Sequence, residues 1–415
     1  MTLQAASFIE RRMIVREYAS CDECGTVHVL RIGMGGEPIQ AHHFQCRNCG
    51  QEMGITLEDN VGMTFGPNAT RAARDDSAPV INLHPSFVFT KEDIGRADAF
   101  PSIELSSKLV DAMLEARTRI GLPGELPSLD ESPRRARVTE EWPQLRAAWS
   151  LTRNGKADLA QKRIDSFLST AGYEDTPTSI QDWIFQFIGD LTRPYFEQLW
   201  EGIFEQLGVA VYKADFERFV AFYDTELSAT HSRRYFEICK AYLGAFTEFS
   251  QVHQLVASDI AVDDGHVAAS SNFDLTRMFY GNAFEAFGDN VEILTAINNM
   301  IEDRPFDQLA SITFEKYRAT DKAGRTRAFA SNPALSAVAA EFDNQLRNAS
   351  HHGGMTFDRA SGLITYRAGK GGQGDGENIS YAAYLARSSR LFIQLMLVFR
   401  LEILIANKFG ARLPI

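Results

Sequence analysis

The sequence has no stretch of about 18 uncharged apolar residues, the length a membrane-crossing helix needs. The nearest approach, residues 391–406, carries Gln394, Arg400 and Glu402 inside it, groups that lipid would make expensive, so it reads as a buried helix of a globular protein. We expect no secretory leader either, since Glu10, Arg11 and Arg12 stand close to Met1, where an apolar run and a small-residue cleavage site would be needed. These absences lead us to expect a cytoplasmic protein with no membrane partner. Cysteine is scarce, five residues in 415, and in a reducing cytoplasm a pair of disulfides is the disfavoured use for them. Positive charge is in deficit, with a net charge of −12, and this argues against a general nucleic-acid binder. Nucleotide loops find little support. Residues 33–36 lie between strand-like segments rather than before a helix, and 369–376 lacks the Lys-Ser/Thr ending that such a loop requires.

What is present describes a folded chain of more than one domain. An apolar share of 45% supplies a core, and a charged share of 23% is ordinary for a globular protein. The length exceeds what one core usually serves. Charge is spread unevenly: residues 312–415 hold 14 Lys or Arg against 8 Asp or Glu, a net of +6, which leaves −18 for residues 1–311. The C-terminal part can therefore attract a polyanion that the rest would repel. Within 251–311, 10 acidic residues face only Arg277 and Arg304, a solvated acidic surface or a screen for that basic part.

Residues 14–57 read as short strands separated by turns, with 26–32 alternating and a hairpin linking two cysteine pairs. Residues 66–79 lack periodicity and read as a linker, followed by a strand-like 87–89 and a helix over 108–120. Gly121, Pro123, Gly124, Pro127, Pro133 and Pro143 then break regular structure and mark a boundary. Beyond it the spacing predicts helices over 142–169, 179–191, 194–207, 216–227 and 233–256, the second opened by Ser179 with Asp182 as a capping box. In the last hundred residues Leu335, Val338, Phe342 and Leu346 share one face of a predicted helix that follows Asn332-Pro333 and ends near His352. A hairpin over 355–366, a loose loop over 369–378 and a long helix over 380–408 complete the chain. The expected fold is mainly α, with a small β ribbon at 1–65, a linker and small mixed α/β region at 66–143, a helical region at 144–311 and a helical core at 312–415 whose bundle begins near 178.

Cys21-Asp-Glu-Cys24 and Cys46-Arg-Asn-Cys49 are separated by twenty-one residues. Two such pairs bring four thiolates to one point, which suits a structural, tetrahedral Zn2+ with no open position for chemistry. A redox pair would need only one of them. His28, His42 and His43 lie between the pairs and read as strand residues, because four cysteines already complete the shell. Cys239, alone in a helical stretch, reads as a small buried residue.

The segment Gln345-Leu-Arg347-Asn348-Ala349-Ser350-His351-His352-Gly353-Gly354 resembles the defining motif of the HEPN superfamily, an Arg, a polar neighbour, three residues and a His near a helix end. The preceding amphipathic helix, the hairpin after the His and the long closing helix are similar to that family over about 312–410. The resemblance implies a C-terminal HEPN-like helical bundle that cleaves RNA without a metal cofactor, with Arg347, Asn348 and His352 catalytic. A histidine can take or give a proton near neutral pH, and Arg347 would hold the phosphate. His351, beside the motif, and Lys316, Arg318, Lys322, Arg325 and Arg327 are candidate RNA contacts, or else a solvated surface. Because the chain carries one motif, the resemblance also implies a homodimer with a composite cleft. It further implies a role in anti-phage abortive infection, set off by a protein or phage-derived trigger. Two other readings compete. One is a catalytically silent HEPN-like binding module whose ribbon recruits nucleic acid or protein. The other is a zinc-ribbon transcription regulator, disfavoured because no helix-turn-helix or basic recognition helix is evident.

Overall fold

A computed structural model describes residues 14–33, 39–58, 62–83, 88–92, 115, 118, 138–171, 177–193, 196–268, 273–351, 354–358, 361–367, 374–413 and 415. The protein is mainly α, with small N-terminal sheets. Its chain divides into two compact units that interleave in sequence: Met1–Ala112, Ala245–Met278 and Asn348–Ser389 form one, and Met113–Gly244, Phe279–Arg347 and Arg390–Ile415 form the other. No described helix is long and apolar enough to cross a membrane.

In the first unit, β1 (Ile14–Cys21) pairs antiparallel with β2 (Val27–Gly33), and β3 (Ile39–Gln45) with β4 (Glu52–Glu58). The strands flanking 34–38 thus belong to different sheets, which corrects the expected hairpin between the cysteine pairs: each pair is instead the tip of its own hairpin. The first sheet has the order β6-β1-β2-β7 and the second β3-β4-β5, where β5 is Gly62–Phe65, β6 Ala69–Arg71 and β7 Val80–Asn82. Part of the stretch read as a linker is therefore strand. It is bound there by polar contacts, since Asp22 donates its N–H to the Asn68 carbonyl and the Asn68 amide donates to the Glu52 carbonyl at 2.9 Å. Gly54 admits this return of the chain, because a Cβ there would lie 2.6 Å from the Gly66 carbonyl oxygen. Leu30, Ile32, Met53, Ile55 and Leu57 form the small core beneath.

The same unit holds the helix Phe246–Ala257, the β8–β9 pair (Phe89–Thr90 with His266–Val267) and a sheet of β10 (Thr356–Asp358), β11 (Leu363–Arg367) and β12 (Gly376–Ser380). Residues 376–378, expected in a loop, complete that sheet through pairing with β11. The Ser380 hydroxyl accepts the Ala383 N–H and caps the start of the helix Tyr381–Phe409. Phe273, Phe357 and Tyr381 pack together, and the Tyr381 hydroxyl donates to Glu248 at 2.7 Å. The expected helix over 108–120 lies outside the described residues apart from Glu115 and Thr118, as does Phe87 of the expected strand.

The second unit is helical. Its expected helices occur, but three are divided. The predicted helix over 142–169 is two, Val138–Arg153 and Ala157–Ala171, because Gly155 takes a φ of 72° and closes the first. The stretch 233–256 belongs to Ser228–Gly244 and Phe246–Ala257. The stripe Leu335 to Leu346 spans Pro333–Ala337 and Asn344–His351, since the Asp343 carboxylate accepts the N–H groups of Gln345 and Leu346 at 2.7 and 3.3 Å and starts a new helix. Leu335, Val338 and Leu346 are nevertheless fully buried, and Phe342 stacks on Phe284 at 3.8 Å. Ser179 caps Ile180–Thr192 as its spacing predicts, accepting the Asp182 N–H at 3.2 Å.

The polar residues within 391–406 each find a partner in this unit. The Gln394 side-chain oxygen accepts the Glu341 N–H, and the Arg400 guanidinium lies 4.5 and 4.4 Å from the rings of Phe185 and Trp200. Cys239 is buried against Met396.

Candidate metal centre and the Arg347 segment

Both cysteine pairs adopt one local geometry. Gly25 donates its N–H to the Cys21 carbonyl at 2.8 Å, and Gly50 donates to that of Cys46 at 3.0 Å, with φ values of 72° and 74°. A side chain at either position would strain the turn, so each knuckle is in effect Cys-x-x-Cys-Gly. Cys21 and Cys46 are buried, whereas Cys24 and Cys49 face solvent. The four sulfurs lie within 4.8 Å of one another, with Cys21 and Cys49 at 3.7 Å and Cys24 and Cys46 at 3.5 Å. Four thiolates about 2.3 Å from a tetrahedral zinc would stand roughly 3.8 Å apart, so the donor set fits a metal ion with little movement. At these distances the thiols compete for protons. Hydrogen bonding with the Thr26 hydroxyl and backbone brings Cys24 down to about 6. The Gln51 N–H favours the Cys49 thiolate, but desolvation and the three other thiols outweigh it and push Cys49 up to about 12. A cation in the centre would replace those shared protons.

His28 has a role its spacing does not reveal. It is fully buried, and its Nε2 accepts the Arg47 N–H at 3.0 Å, so its lone pair orients the second knuckle instead of binding metal. Desolvation keeps its pKa below the usual value. His43 lies near Glu52 at 3.5 Å, and burial pushes His42 down to about 4.

Arg347 and Asn348 stand in the helix Asn344–His351, both half-buried. His351 is its last residue, and His352 lies outside the described residues. Within the second unit, Arg347 donates from Nε to a Glu285 oxygen at 2.6 Å and from a terminal nitrogen to that same atom, with its guanidinium carbon 5.8 Å from the Phe284 ring centre. The other Glu285 oxygen meets Lys322 at 2.7 Å. Desolvation opposes ionisation of Glu285, but bonds from Lys322 and Arg347 prevail and lower its pKa. Lys322 also reaches Asp289 at 2.8 Å, which is shared with Arg325 and Arg234. The remaining candidate RNA contacts differ in setting. Arg325 is buried and donates to the Gly288 and Arg318 carbonyls, Arg318 pairs with Glu292 at 2.8 Å, and Lys316 and Arg327 are exposed. In the first unit, Ser350 anchors its own stretch by donating to the Arg277 carbonyl at 2.7 Å.

No family model, curated protein or solved structure matches the chain. The resemblance of the Arg347 segment therefore rests on its own residues.

A further cluster escaped the sequence reading. His231, fully buried in the second unit, meets Glu402 through Nδ1 at 2.9 Å and Glu292 through Nε2 at 3.1 Å. The hydroxyls of Tyr235 and Tyr223 donate to Glu402 at 2.5 and 3.0 Å. Tyr223 begins a π-helical turn, Tyr223–Leu227, a form that inserts one residue and redirects the side chains near it. Desolvation alone would lower the His231 pKa, but the charge of Glu402 and the bonds to both glutamates raise it to about 9. The imidazolium thus bridges two carboxylates. The only sequence signal was the stranded charge of Glu402 in an apolar run, which announces that a partner exists without identifying it.

Proposed function

We propose that the protein is a metal-independent endoribonuclease of the HEPN type whose N-terminal ribbon holds a structural zinc ion. The observation that carries this reading is Arg347, fixed by Glu285 and Phe284 near the end of a short helix whose last residue, His351, precedes His352. RNA cleavage without a metal needs a group to take the 2′-hydroxyl proton, one to protonate the departing 5′-oxygen, and a cation for the phosphate charge. His352 supplies proton transfer, Arg347 holds the phosphate, and Asn348 orients it. Two copies of the chain complete one cleft, and the product carries a 2′,3′-cyclic phosphate. Exposed Lys316 and Arg327 add contacts to the RNA backbone. The biological purpose in this reading is anti-phage growth arrest in the cytoplasm, released by a protein or phage-derived trigger.

One observation favours a binding module instead: Arg318, Arg325 and Arg347 are all engaged with partners inside the protein. The two readings separate when purified protein is incubated with total RNA and a chelator, beside an Arg347→Ala/His352→Ala double variant. Cleavage by the wild type alone, insensitive to chelator and leaving cyclic phosphate ends, is the expected result. Equal cleavage by both proteins would sink the assignment, and RNA binding without cleavage would favour the module.

A further inference from the structure

An arginine serves a phosphate well only when the plane of its guanidinium is fixed, because misplacement of about 1 Å in a catalytic group can cost on the order of 100-fold in rate. A single Glu285 oxygen grips the Nε edge of Arg347, and the Phe284 ring limits its tilt. The second Glu285 oxygen holds Lys322, so one carboxylate sets two cations side by side. Lys322 is itself confined: a Cβ on Gly288 would lie 2.9 Å from the Lys322 Cβ, so the base of the lysine side chain sits directly on that glycine. Among the described residues, four cations (Arg347, Lys322, Arg325 and Arg234) meet two anions (Glu285 and Asp289) around this carboxylate, an excess of two positive charges in that set. Such an excess, held at fixed distances, suits an anion with more than one oxygen to offer.

We propose that Glu285 is the positioning residue of Arg347, acting through it to orient a phosphodiester of RNA that the surrounding cationic cluster attracts. The inference rests on the ribonuclease reading above. Glu285 itself touches no substrate. It also stays ionised at neutral pH, since Lys322 and Arg347 lower its pKa.

Charge and position make opposite predictions for Glu285→Gln. If the carboxylate acted only as a negative charge near RNA, its removal would strengthen binding and leave cleavage equal or faster. If it positions Arg347, kcat falls about 10- to 100-fold while KM stays level or drops. The test is steady-state cleavage of a short RNA oligonucleotide by the full-length wild type, Glu285→Gln and Glu285→Asp, each checked by thermal melting. A fall in kcat for the Gln variant, with partial recovery in the Asp variant, supports the proposal. A Gln variant that cleaves as fast as the wild type overturns it and leaves the ribonuclease reading in place. Absence of cleavage by the wild type overturns both. Should the Gln variant melt early, the Asp variant decides, because it keeps the charge and shortens the reach: a lower kcat at unchanged KM supports positioning, and an unchanged kcat overturns it.

Discussion

The cysteine centre and the His231 cluster hold polar groups by opposite means. In the first, four thiols come from two short turns of like geometry, so local chain chemistry creates the site and a small core suffices beneath it. In the second, a histidine and two glutamates from distant parts of the sequence meet in a dry interior, His231 and Glu402 being 171 positions apart. One site can form before its unit is packed. The other exists only because the unit is packed.

This contrast sets the order of expected effects. Removing one of the four clustered cysteines should do most. Cys46→Ser is expected to abolish metal binding, counted by elemental analysis of the purified protein, and to release residues 14–83 to rapid hydrogen exchange, since structural zinc binding is worth roughly 10 kcal/mol or more. Exchange at helices Ser228–Gly244 and Glu292–Ile301 should remain slow. If those helices also opened, the contrast between the two sites would collapse.

The buried cluster comes next. His231→Phe leaves Glu402 and Glu292 facing each other without the cation between them, and is expected to cost about 3–5 kcal/mol in urea unfolding of the second unit. The same site has a pH signature. Because folding raises the His231 pKa from 6.5 to about 9, the proton is bound more tightly in the folded state. Its stabilisation is complete below about pH 6.5 and is lost as pH rises through about 9. Melting temperatures followed from pH 6 to 10 should therefore fall toward the alkaline end in the wild type and less so in His231→Phe. Equal slopes would mean that the histidine is neutral in the fold.

Those two sites also mark how far the sequence could be read. The cysteine spacing predicted the centre because both knuckles are local, and the Ser179 cap was visible for the same reason. Helix ends were less legible. The predicted helix across Leu335 to Leu346 had the right buried face but missed the cap at Asp343, whose carboxylate competes with continuation of the helix only once the chain bends there. The ribbon's sheets were misjudged because strand periodicity does not say which strand is the neighbour. The motif drew attention to Arg347, but its grip on Glu285, 62 positions away, was not visible in the sequence. His231 and the two tyrosines were invisible, since nothing local distinguishes them from ordinary interior residues.

The smallest expected effect belongs to a local feature. Ser179→Ala removes the acceptor for the Asp182 N–H and should cost about 1 kcal/mol, measured by the same urea unfolding of the second unit. A much larger loss would show that this cap organises more than its own helix.

Glu402 gives the helix Tyr381–Phe409 something its apolar residues cannot. Aliphatic side chains tolerate many alignments, and a helix coated with them can settle one turn out of step at modest cost. Here a slip of one turn, about 5.4 Å, would bring Val398 or Ala406 opposite His231, Tyr223 and Tyr235, and would strand three hydrogen-bonding groups against hydrocarbon. A single carboxylate thus acts as a proofreading mark, making one alignment of the helix acceptable and its nearest rivals costly.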